Sequence, residues 1–335
     1  MLTEHNTNLW INIIARTIKI ILKISKVAVT SMLKNSYNLS TMSELDHELP
    51  SGTIVDNYTI TRTLGGGGFS LVYLAKDNTY NKEVVIKEYM PTKLATRTHD
   101  LHISALNSDC GDKFGHGQRL FFQEANTLSN LKHPNIVNVI SFFRANGTVY
   151  MVMEYEEGIN LQSYIKRHNG NMTEQFIMAV FIPLLDGLQT IHKNGLLHLD
   201  VKPGNIHLRE EARPLLLDFG AAHEMMQTRQ FQANQVITPG FSPIEQLDPG
   251  GYVGPWTDIY ALGATIRACI EGAPPMPSIK RRERDTLKPA VSAFKKKYSK
   301  PLLEAIDWSM EVDPILRPQN IENFIEAFKH SDRKN

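Results

Sequence analysis

The chain has 335 residues, of which 42% are hydrophobic and 21% charged, and its 36 basic and 35 acidic residues give a formal net charge of +1. This composition excludes a mainly disordered chain, a collagen-like chain and a disulfide scaffold, and the near-neutral charge gives no reason to expect a nucleic-acid partner. The two cysteines, Cys110 and Cys269, lie far apart in sequence and form no CxxC motif, so we expect a reducing compartment and a cytoplasmic protein.

Residues 1–57 form a lead-in that is both basic and apolar. Its charged stretch, residues 9–34, contains no run of about 18 uncharged apolar residues, which disfavours a membrane-spanning helix, and its lysines fit a secretory signal poorly. Three interpretations stay open: a basic helix lying on an anionic membrane, a helix docked on the protein's own surface, or a translation start at Met42 that leaves the preceding stretch untranslated or disordered. The basic residues that a helix would place on one stripe are Arg16, Lys19, Lys23 and Lys26.

The chain from Tyr58 to Glu156 predicts mostly strands, because short apolar runs are separated by glycine-rich or polar turns. One helix is expected around Glu124, where apolar residues repeat at helical spacing. Residues 92–117 are polar, contain three glycines and predict a long loop. The strands are expected at 58–64, 71–75, 83–87, 136–143 and 148–155.

After Gly158 the pattern becomes mostly helical. A strand-rich front and a helix-rich back, in a chain long enough for about two packed units, predict an α+β fold with two lobes. The N-lobe is expected at 58–156 and the C-lobe at 158–329, followed by a tail at 330–335. The expected helices are 173–193, 257–271, 301–311 and 319–329, and the short strands are 206–208 and 214–217.

Three features of the N-lobe carry chemistry. The glycine run 65–68 between two strands leaves the backbone free to approach phosphate oxygens closely, although most glycine runs are turns. Lys87 lies in an apolar strand and Glu124 on an apolar helix face, and each charge needs a partner when buried. The two side chains could satisfy each other, or they could be unrelated exposed charges.

The strongest segment is HLDVKPGN at 198–205, followed by a carboxylate, Asp218, at the end of an apolar run. Asn205 and Asp218 offer the hard oxygen ligands that magnesium prefers. Lys202 offers a positive charge for a transferring phosphoryl group, and Asp200 can accept the proton of a hydroxyl. Together these groups supply the positioning and charge neutralisation that phosphoryl transfer requires.

These segments resemble the motifs of the eukaryotic-type serine/threonine protein kinase family, and of its bacterial members in particular, over about residues 58–329. Residues 64–72 are similar to the glycine-rich lid and residues 84–87 to the VAIK strand, with Glu124 as the helix partner of Lys87. The segments at 198–205 and 218–220 are similar to the catalytic and metal-binding loops of the family.

Three further motifs extend the resemblance into the C-lobe. Residues 242–245 (SPIE) stand where the family has APE, and Arg317 would pair with Glu245. Asp258 begins a segment that is similar to the helix anchoring the catalytic loop. Each motif alone could arise by chance, whereas this many in family order is very specific.

The resemblance implies a kinase fold with a small strand-rich N-lobe, one main N-lobe helix and a larger helical C-lobe, which uses ATP and Mg²⁺ to phosphorylate protein hydroxyls. Asp200 would be the catalytic base, Lys202 would steady the γ-phosphate, and Asn205 and Asp218 would hold magnesium. Lys87, oriented by Glu124, would hold the α- and β-phosphates. The implied ATP-binding positions are Leu64, Gly65, Gly66, Gly67, Gly68, Phe69, Ser70, Leu71, Val72, Val85, Lys87, Met153, Glu154 and Glu156.

The sequence departs from the family most informatively at Leu199, where an arginine that binds the phosphorylated activation loop is usual. We therefore expect activity that does not depend strongly on phosphorylation of this loop. This loop runs from Asp218 to Glu245. Of its threonines, Thr228 is the candidate acceptor, whereas Thr238 resembles the structural threonine that contacts the catalytic Asp and Lys. Ser70, Val85 and His207 also differ from the usual lid, adenine roof and adenine floor, without removing a catalytic group.

Two alternatives to a protein kinase remain at this point. A pseudokinase would bind nucleotide or partners without transferring phosphate, and a small-molecule kinase of related fold would act on another acceptor. The second class generally lacks the segment at 242–245 and its Arg317 partner, which argues against it here. The physiological substrate, the activating signal and the oligomeric state leave no signature in the sequence.

Overall fold

The computed structural model describes residues 47–218, 223–224, 237–248 and 250–329. The basic stretch at 9–34 with its three interpretations, the alternative start at Met42 and the tail at 330–335 lie outside the described residues, as does Thr228.

The N-lobe is built on a six-stranded antiparallel sheet that carries the predicted lid and the Lys87 strand. Its strands, together with a separate two-stranded hairpin, are β1 (Ile54–Val55), β2 (Tyr58–Gly66), β3 (Ser70–Asp77), β4 (Lys82–Tyr89), β5 (Ala95–Arg97), β6 (Ile103–Ala105), β7 (Val139–Ala145) and β8 (Thr148–Glu154). The sheet order is β1-β2-β3-β4-β8-β7, and β5 pairs with β6. Strands β4 and β8 lie in the centre and are buried over most of their length, which accounts for their continuous apolar runs.

The long loop predicted at 92–117 is wrong in most of its length. Residues 95–105 contain the β5–β6 hairpin, and the main N-lobe helix, α1 (Ser108–Ser129), begins much earlier than its apolar pattern indicated. Asn107 caps this helix, since its side chain accepts a hydrogen bond from the Cys110 N–H at 3.0 Å. The glycines that suggested a loop lie inside the helix, where Gly117 permits close packing with Tyr89.

We expect Gly117→Ala to destabilise the protein by about 1–3 kcal/mol, the usual cost of overpacking. An added Cβ would lie 1.9 Å from the Tyr89 hydroxyl oxygen, and the Tyr89 ring is packed between Phe114 and Phe121. Gly111→Ala in the same helix is the matched control, because nothing lies within 4 Å of its added Cβ and alanine is the better helix former. Urea unfolding measures both, and a similar stabilisation by both substitutions would contradict the packing argument.

The C-lobe is mainly helical, and the predicted helices at 173–193, 257–271, 301–311 and 319–329 are confirmed with small shifts of their ends. Its helices are α2 (Leu161–His168), α3 (Glu174–Lys193), α4 (Ile244–Leu247), α5 (Pro255–Glu271), α6 (Ser278–Glu283), α7 (Ala290–Phe294), α8 (Lys300–Ser309) and α9 (Ile321–Lys329). Helix α5 is the centre of this lobe, since nearly all its residues are buried and it packs against α3, α8 and α9. Helix α3 is long and apolar enough to cross a membrane by composition alone, and its apolar face is accounted for by packing in this core.

Short strands of the C-lobe flank the catalytic segments. They are β9 (Ile159–Asn160), β10 (Leu196–Leu197), β11 (Ile206–Leu208), β12 (Pro214–Leu216) and β13 (His223–Glu224). Residues 198–205 lie between β10 and β11, and Asp218 follows β12. The antiparallel pair β11–β12 confirms the predicted strands at 206–208 and 214–217, and β9 completes a three-stranded sheet on the other side of β11. The α+β fold class with two lobes is therefore confirmed.

Candidate active site

The catalytic segment is held in place by Asp258, in the first turn of α5. Its Oδ1 accepts the Leu199 N–H at 2.7 Å, and its Oδ2 accepts the His198 N–H at 2.9 Å and contacts His192 Nε2 at 2.8 Å. Burial would raise the pKa of Asp258, but the hydrogen bond with His192 and the neighbouring His198 hold it below its ordinary value. The predicted anchoring of this segment by Asp258 is confirmed.

Asp200 lies at the centre of a polar cluster. Its Oδ2 accepts hydrogen bonds from Lys202 Nζ at 2.7 Å and from Asn205 Nδ2 at 2.9 Å. Its Oδ1 accepts one from Thr238 Oγ1 at 3.0 Å, and Lys202 Nζ also donates to that hydroxyl oxygen at 3.2 Å. The predicted contacts of Thr238 are thus confirmed, and the carboxylate of Asp200 is fixed by donors on three sides.

Lys87 and Asp218 form an ion pair across the boundary between the lobes. The Lys87 side chain is only 5% exposed and its ammonium lies 5.6 Å from the centroid of the Phe121 ring. Burial would lower the pKa of Lys87, but the carboxyl groups of Asp218, Glu124 and Asp200, with Asp218 the largest contributor, together raise the net pKa above its ordinary value. Partial loss of hydration would raise the pKa of Asp218, but the pairing with Lys87 keeps it below its ordinary value, so both groups are charged.

Glu124 does not form the predicted ion pair with Lys87, because the lysine pairs with Asp218 instead. The Oε1 atom of Glu124 is buried and has no hydrogen-bond partner. Burial, with a smaller contribution from the Asp218 carboxylate, raises the pKa of Glu124 to about 8 against the lowering effect of Lys87. One ammonium therefore faces two carboxyl groups, and it pairs with Asp218, whose side chain is 43% exposed and costs less to keep ionised.

The raised pKa of Glu124 predicts a stability that depends on pH. The folded state holds this proton more tightly than the unfolded state, whose pKa is near 4.5, so the resulting stabilisation is complete below about 4.5 and is lost as the pH rises through about 8. We expect Glu124→Gln to gain stability relative to the wild type over this range, measured by urea unfolding from pH 4 to pH 9. Glu83→Gln, at an exposed position near the start of β4, is the control, and a stability difference for Glu124→Gln that is constant with pH would contradict the assignment.

A cleft of about 1020 Å³ lies between the lobes, beneath the glycine-rich lid, and brings the predicted site residues together. Every predicted ATP-binding position lines it except Leu71, which alternation along β3 turns into the hydrophobic core on the other face of the sheet. The predicted catalytic and metal-binding residues that line the same cleft are Lys87, Glu124, Asp200, Lys202, Asn205 and Asp218.

Sequence reasoning missed part of the cleft wall. Val137, Leu215 and Leu217 line it as apolar surfaces, yet their sequence signal is the same as that of core residues. His207 lies in the cleft as its departure from the adenine floor suggested, and its Nε2 lies 3.0 Å from the carbonyl oxygen of Glu156. This contact ties the C-lobe floor to the segment that joins the lobes.

The donor set fits a nucleotide with a divalent cation. The Asn205 amide nitrogen donates to Asp200, which leaves its carbonyl oxygen as an acceptor, and Asp218 is an ionised carboxylate beside it in the cleft. Among the described residues no cluster of three or more His, Cys, Asp or Glu side chains could hold a metal ion unaided. This suits magnesium, which usually takes one or two protein oxygens and completes its shell with phosphates and water.

A family model for the protein kinase domain matches residues 58–331. The chain belongs to the protein kinase family. This kinase is 36% identical to PpkA-294, whose apo form has been solved, with a TM-score of 0.74 over 84% of this chain and 99% of that one. That likeness confirms the protein kinase fold.

Among the curated relatives, the chain is 29% identical to serine/threonine-protein kinase PrkC of Bacillus subtilis, over 81% of this chain and 37% of that protein. It is 29% identical to serine/threonine-protein kinase D of Synechocystis, over 82% and 52%, and 31% identical to serine/threonine-protein kinase PknA of Nostoc, over 66% and 38%. The kinase therefore spans only about two-fifths to half the length of these relatives. Its resemblance to bacterial members of the family is confirmed.

The family motif at 242–245 is completed by a buried ion pair. Arg317 Nη1 lies 2.6 Å from Glu245 Oε1, and Nη2 lies 3.1 Å from Oε2, so the predicted pair is confirmed. Thr257 in the first turn of α5 also donates to Glu245 Oε1 at 3.0 Å. The pair joins the segment after Thr238 to the centre of the C-lobe.

Proposed function

We propose that this chain is a serine/threonine protein kinase that uses ATP and Mg²⁺. The observation that carries the proposal is the convergence of Lys87, Asp200, Lys202, Asn205 and Asp218 on one cleft beneath the glycine-rich lid. Phosphoryl transfer requires little covalent chemistry from the protein and depends on positioning and charge neutralisation, which these groups supply. The names of the similar bacterial proteins support the same activity and the Ser/Thr acceptor.

The residues divide the work between them. Asn205 and Asp218 would hold magnesium, which neutralises phosphate charge when bound. Lys87 holds the phosphates through its buried ammonium once it leaves Asp218, and Lys202 supplies the charge nearest the acceptor. Asp200, oriented by three donors, accepts the proton of the attacking hydroxyl.

A protein acceptor is favoured over a small molecule by the buried pair between Glu245 and Arg317. This pair fixes the segment that runs from Thr238 to Asp248. The segment begins beside the catalytic cluster, because Thr238 contacts Asp200. An ordered segment beside the catalytic carboxylate offers a surface along which an extended peptide can lie. Small acceptors need no such surface.

Incubation with γ-labelled ATP tests the proposal. The wild type should label a general protein acceptor on Ser and Thr in the presence of Mg²⁺, and leave small hydroxylated acceptors unlabelled. Asp200→Asn should transfer label about a hundredfold or more slowly, whereas Asp112→Asn at an exposed position of α1 should behave as the wild type. ATP binding without transfer to any acceptor would identify a pseudokinase, and labelling of small acceptors alone would identify the other enzyme class.

We propose further that Leu199 makes the kinase independent of activation-loop phosphorylation. Leu199 is buried and packs with Leu197 and Val253 in a small apolar cluster, with its backbone in the left-handed region at φ 61°. Its carbonyl oxygen accepts a hydrogen bond from Gln246 Nε2 at 2.8 Å. An apolar cluster therefore stands where an arginine would receive a phosphate, and a buried phosphate beside it would lack a counter-charge.

Thr228→Ala should accordingly retain turnover comparable to that of the wild type. Because Leu199 offers no charge to a phosphate on this loop, phosphatase treatment of the wild type should also leave the rate of transfer to an external protein unchanged. Steady-state rates with the same acceptor measure both. Loss of turnover in Thr228→Ala, with its fold intact by circular dichroism, would contradict the proposal.

A further inference from the structure

A buried carboxylate lies directly behind the catalytic lysine. Glu88 follows Lys87 on β4, so alternation along the strand places its side chain on the opposite face of the sheet, where it is fully buried. Three donors satisfy it: the Tyr73 hydroxyl at 2.8 Å, the Tyr150 hydroxyl at 2.5 Å and Arg97 Nη2 at 2.5 Å. Phosphoryl transfer does not use any of these four side chains, and none of them lines the cleft.

Two of the three donors come from the strands that flank β4. Tyr73 belongs to β3 and Tyr150 to β8, where it stands directly opposite Glu88 in the strand register. Both tyrosine side chains are fully buried, and burial raises the pKa of each phenol above its ordinary value, so each hydroxyl stays a donor. One carboxylate therefore ties the three strands around Lys87 together, one residue away from it.

Arg97 connects this carboxylate to the start of the domain. Besides Glu88, its guanidinium donates from Nε to the His47 carbonyl oxygen at 2.7 Å and from Nη1 to the Leu101 carbonyl oxygen at 3.0 Å. We call residues 47–49 the entry strap, because the chain reaches the N-lobe sheet through them. The strap makes a second contact with the same network, since the Leu49 N–H donates to the Tyr73 hydroxyl at 3.2 Å.

The strap is held by its side chains as well as by its backbone. Glu48 Oε2 accepts a hydrogen bond from Thr63 Oγ1 of β2 at 2.6 Å, and the Leu49 side chain is 3% exposed in the core. Displacement of the strap would remove donors or acceptors from Arg97 and Tyr73, and each of these also binds Glu88. Leaving a buried charge partly unpaired is costly, so the position of the strap and the geometry around Glu88 are energetically coupled.

We propose that Glu88, Arg97, Tyr73 and Tyr150 are positioning residues for Lys87, and that the entry strap sets nucleotide affinity through them. The inference rests on the proposed function in that Lys87 holds the nucleotide. The network fixes β4 against β3 and β8 from behind, which holds the lysine ammonium where phosphates bind. Displacement of the entry strap is then expected to weaken nucleotide binding, because the strap shares hydrogen bonds with Arg97 and Tyr73.

Tyr150→Phe and Tyr73→Phe test the network, because each removes one hydroxyl and keeps the buried ring. The matched control is Tyr298→Phe, whose buried hydroxyl donates to the Met172 carbonyl oxygen in the C-lobe at 2.7 Å. We expect the dissociation constant for ATP, measured by calorimetry, to rise about fivefold or more in the two N-lobe variants and to stay at the wild-type value in the control. Thermal unfolding should show a loss of Tm in all three, larger in the two N-lobe variants because their hydroxyls donate to a buried charge.

Arg97→Lys tests the strap, because lysine keeps a cation beside Glu88 and cannot also reach both carbonyl oxygens. Arg267→Lys is its control: Arg267 is equally buried and donates to Glu271 and to the Lys288 carbonyl oxygen in the C-lobe. Weaker ATP binding in Arg97→Lys, with wild-type binding in Arg267→Lys, supports the proposal. Unchanged ATP binding in all N-lobe variants overturns it while leaving the proposed function intact, whereas a wild-type chain that binds no ATP overturns both.

Discussion

Replacing Asp200 by asparagine is expected to lower kcat for phosphoryl transfer by about 10²–10⁴-fold, the range contributed by a positioned general base. The side chain is 8% exposed and accepts from Lys202, Asn205 and Thr238, so its geometry is set before substrate arrives. Asparagine has the same shape but cannot take the hydroxyl proton. Its NH₂ group would also point a donor at neighbouring donors, where the carboxylate oxygen accepts a hydrogen bond. Single-turnover transfer from ATP to a protein acceptor measures the effect.

The loss should appear in the chemical step and not in nucleotide binding. In the proposed mechanism Asp200 acts on the acceptor hydroxyl, whereas Lys87, Asn205 and Asp218, which line the same cleft, would remain in place to hold the phosphates. We therefore expect the dissociation constant for ATP to stay near the wild-type value, with Asp112→Asn as the control for purification and folding. A kcat for Asp200→Asn within tenfold of the wild type would remove the role of this carboxylate as the base.

The substitution Arg317→Met is expected to lower the free energy of unfolding by about 3–5 kcal/mol, as breaking a buried ion pair usually does. The Arg317 side chain is fully buried and binds Glu245 through both terminal nitrogens. It also donates to the Glu311 and Val312 carbonyl oxygens and lies 4.7 Å from the Tyr260 ring centroid. Methionine fills part of the volume and leaves the Glu245 carboxylate buried without its counter-charge.

An exposed pair in the same lobe provides the comparison. Arg282 lies 2.6 Å from Asp248, but both side chains are more than 40% exposed, so Arg282→Met should cost about 0–1 kcal/mol. Urea unfolding followed by tryptophan fluorescence gives both values. Equal losses for Arg317→Met and Arg282→Met would show that burial does not set the strength of the Glu245–Arg317 pair.

The sequence was informative wherever a local pattern determines the outcome. Helix and strand periodicity located the C-lobe helices and the central N-lobe strands, because burial of one face imposes that periodicity. The motif at 198–205 predicted the cluster around Asp200, since short spacing leaves few ways to arrange Lys202 and Asn205. Alternation in β3 could also have excluded Leu71 from the cleft, because Ser70 and Val72 on either side of it face the nucleotide site.

The start of the N-lobe helix and the partners of the buried charges could not be predicted, because they depend on contacts between segments that no local pattern encodes. Glycines indicated a loop before residue 117, yet Asn107 caps a helix there and Gly117 packs against Tyr89. Lys87 was expected to pair with Glu124, but two carboxyl groups compete for one ammonium, and burial decides which stays ionised. Glu88 gave a signal that was overlooked, since a carboxylate in a central strand needs buried donors.

Asp218 and its neighbours are proposed to converge on the phosphates of one bound nucleotide, and magnesium-dependent binding tests this arrangement most directly. Calorimetry should compare ATP with adenosine, each with and without Mg²⁺, in the wild type and in Asp218→Asn. We predict that Mg²⁺ tightens the binding of ATP but not of adenosine to the wild type, and that Asp218→Asn loses this effect while its affinity for adenosine is retained. An equal gain from Mg²⁺ in both proteins would contradict the account.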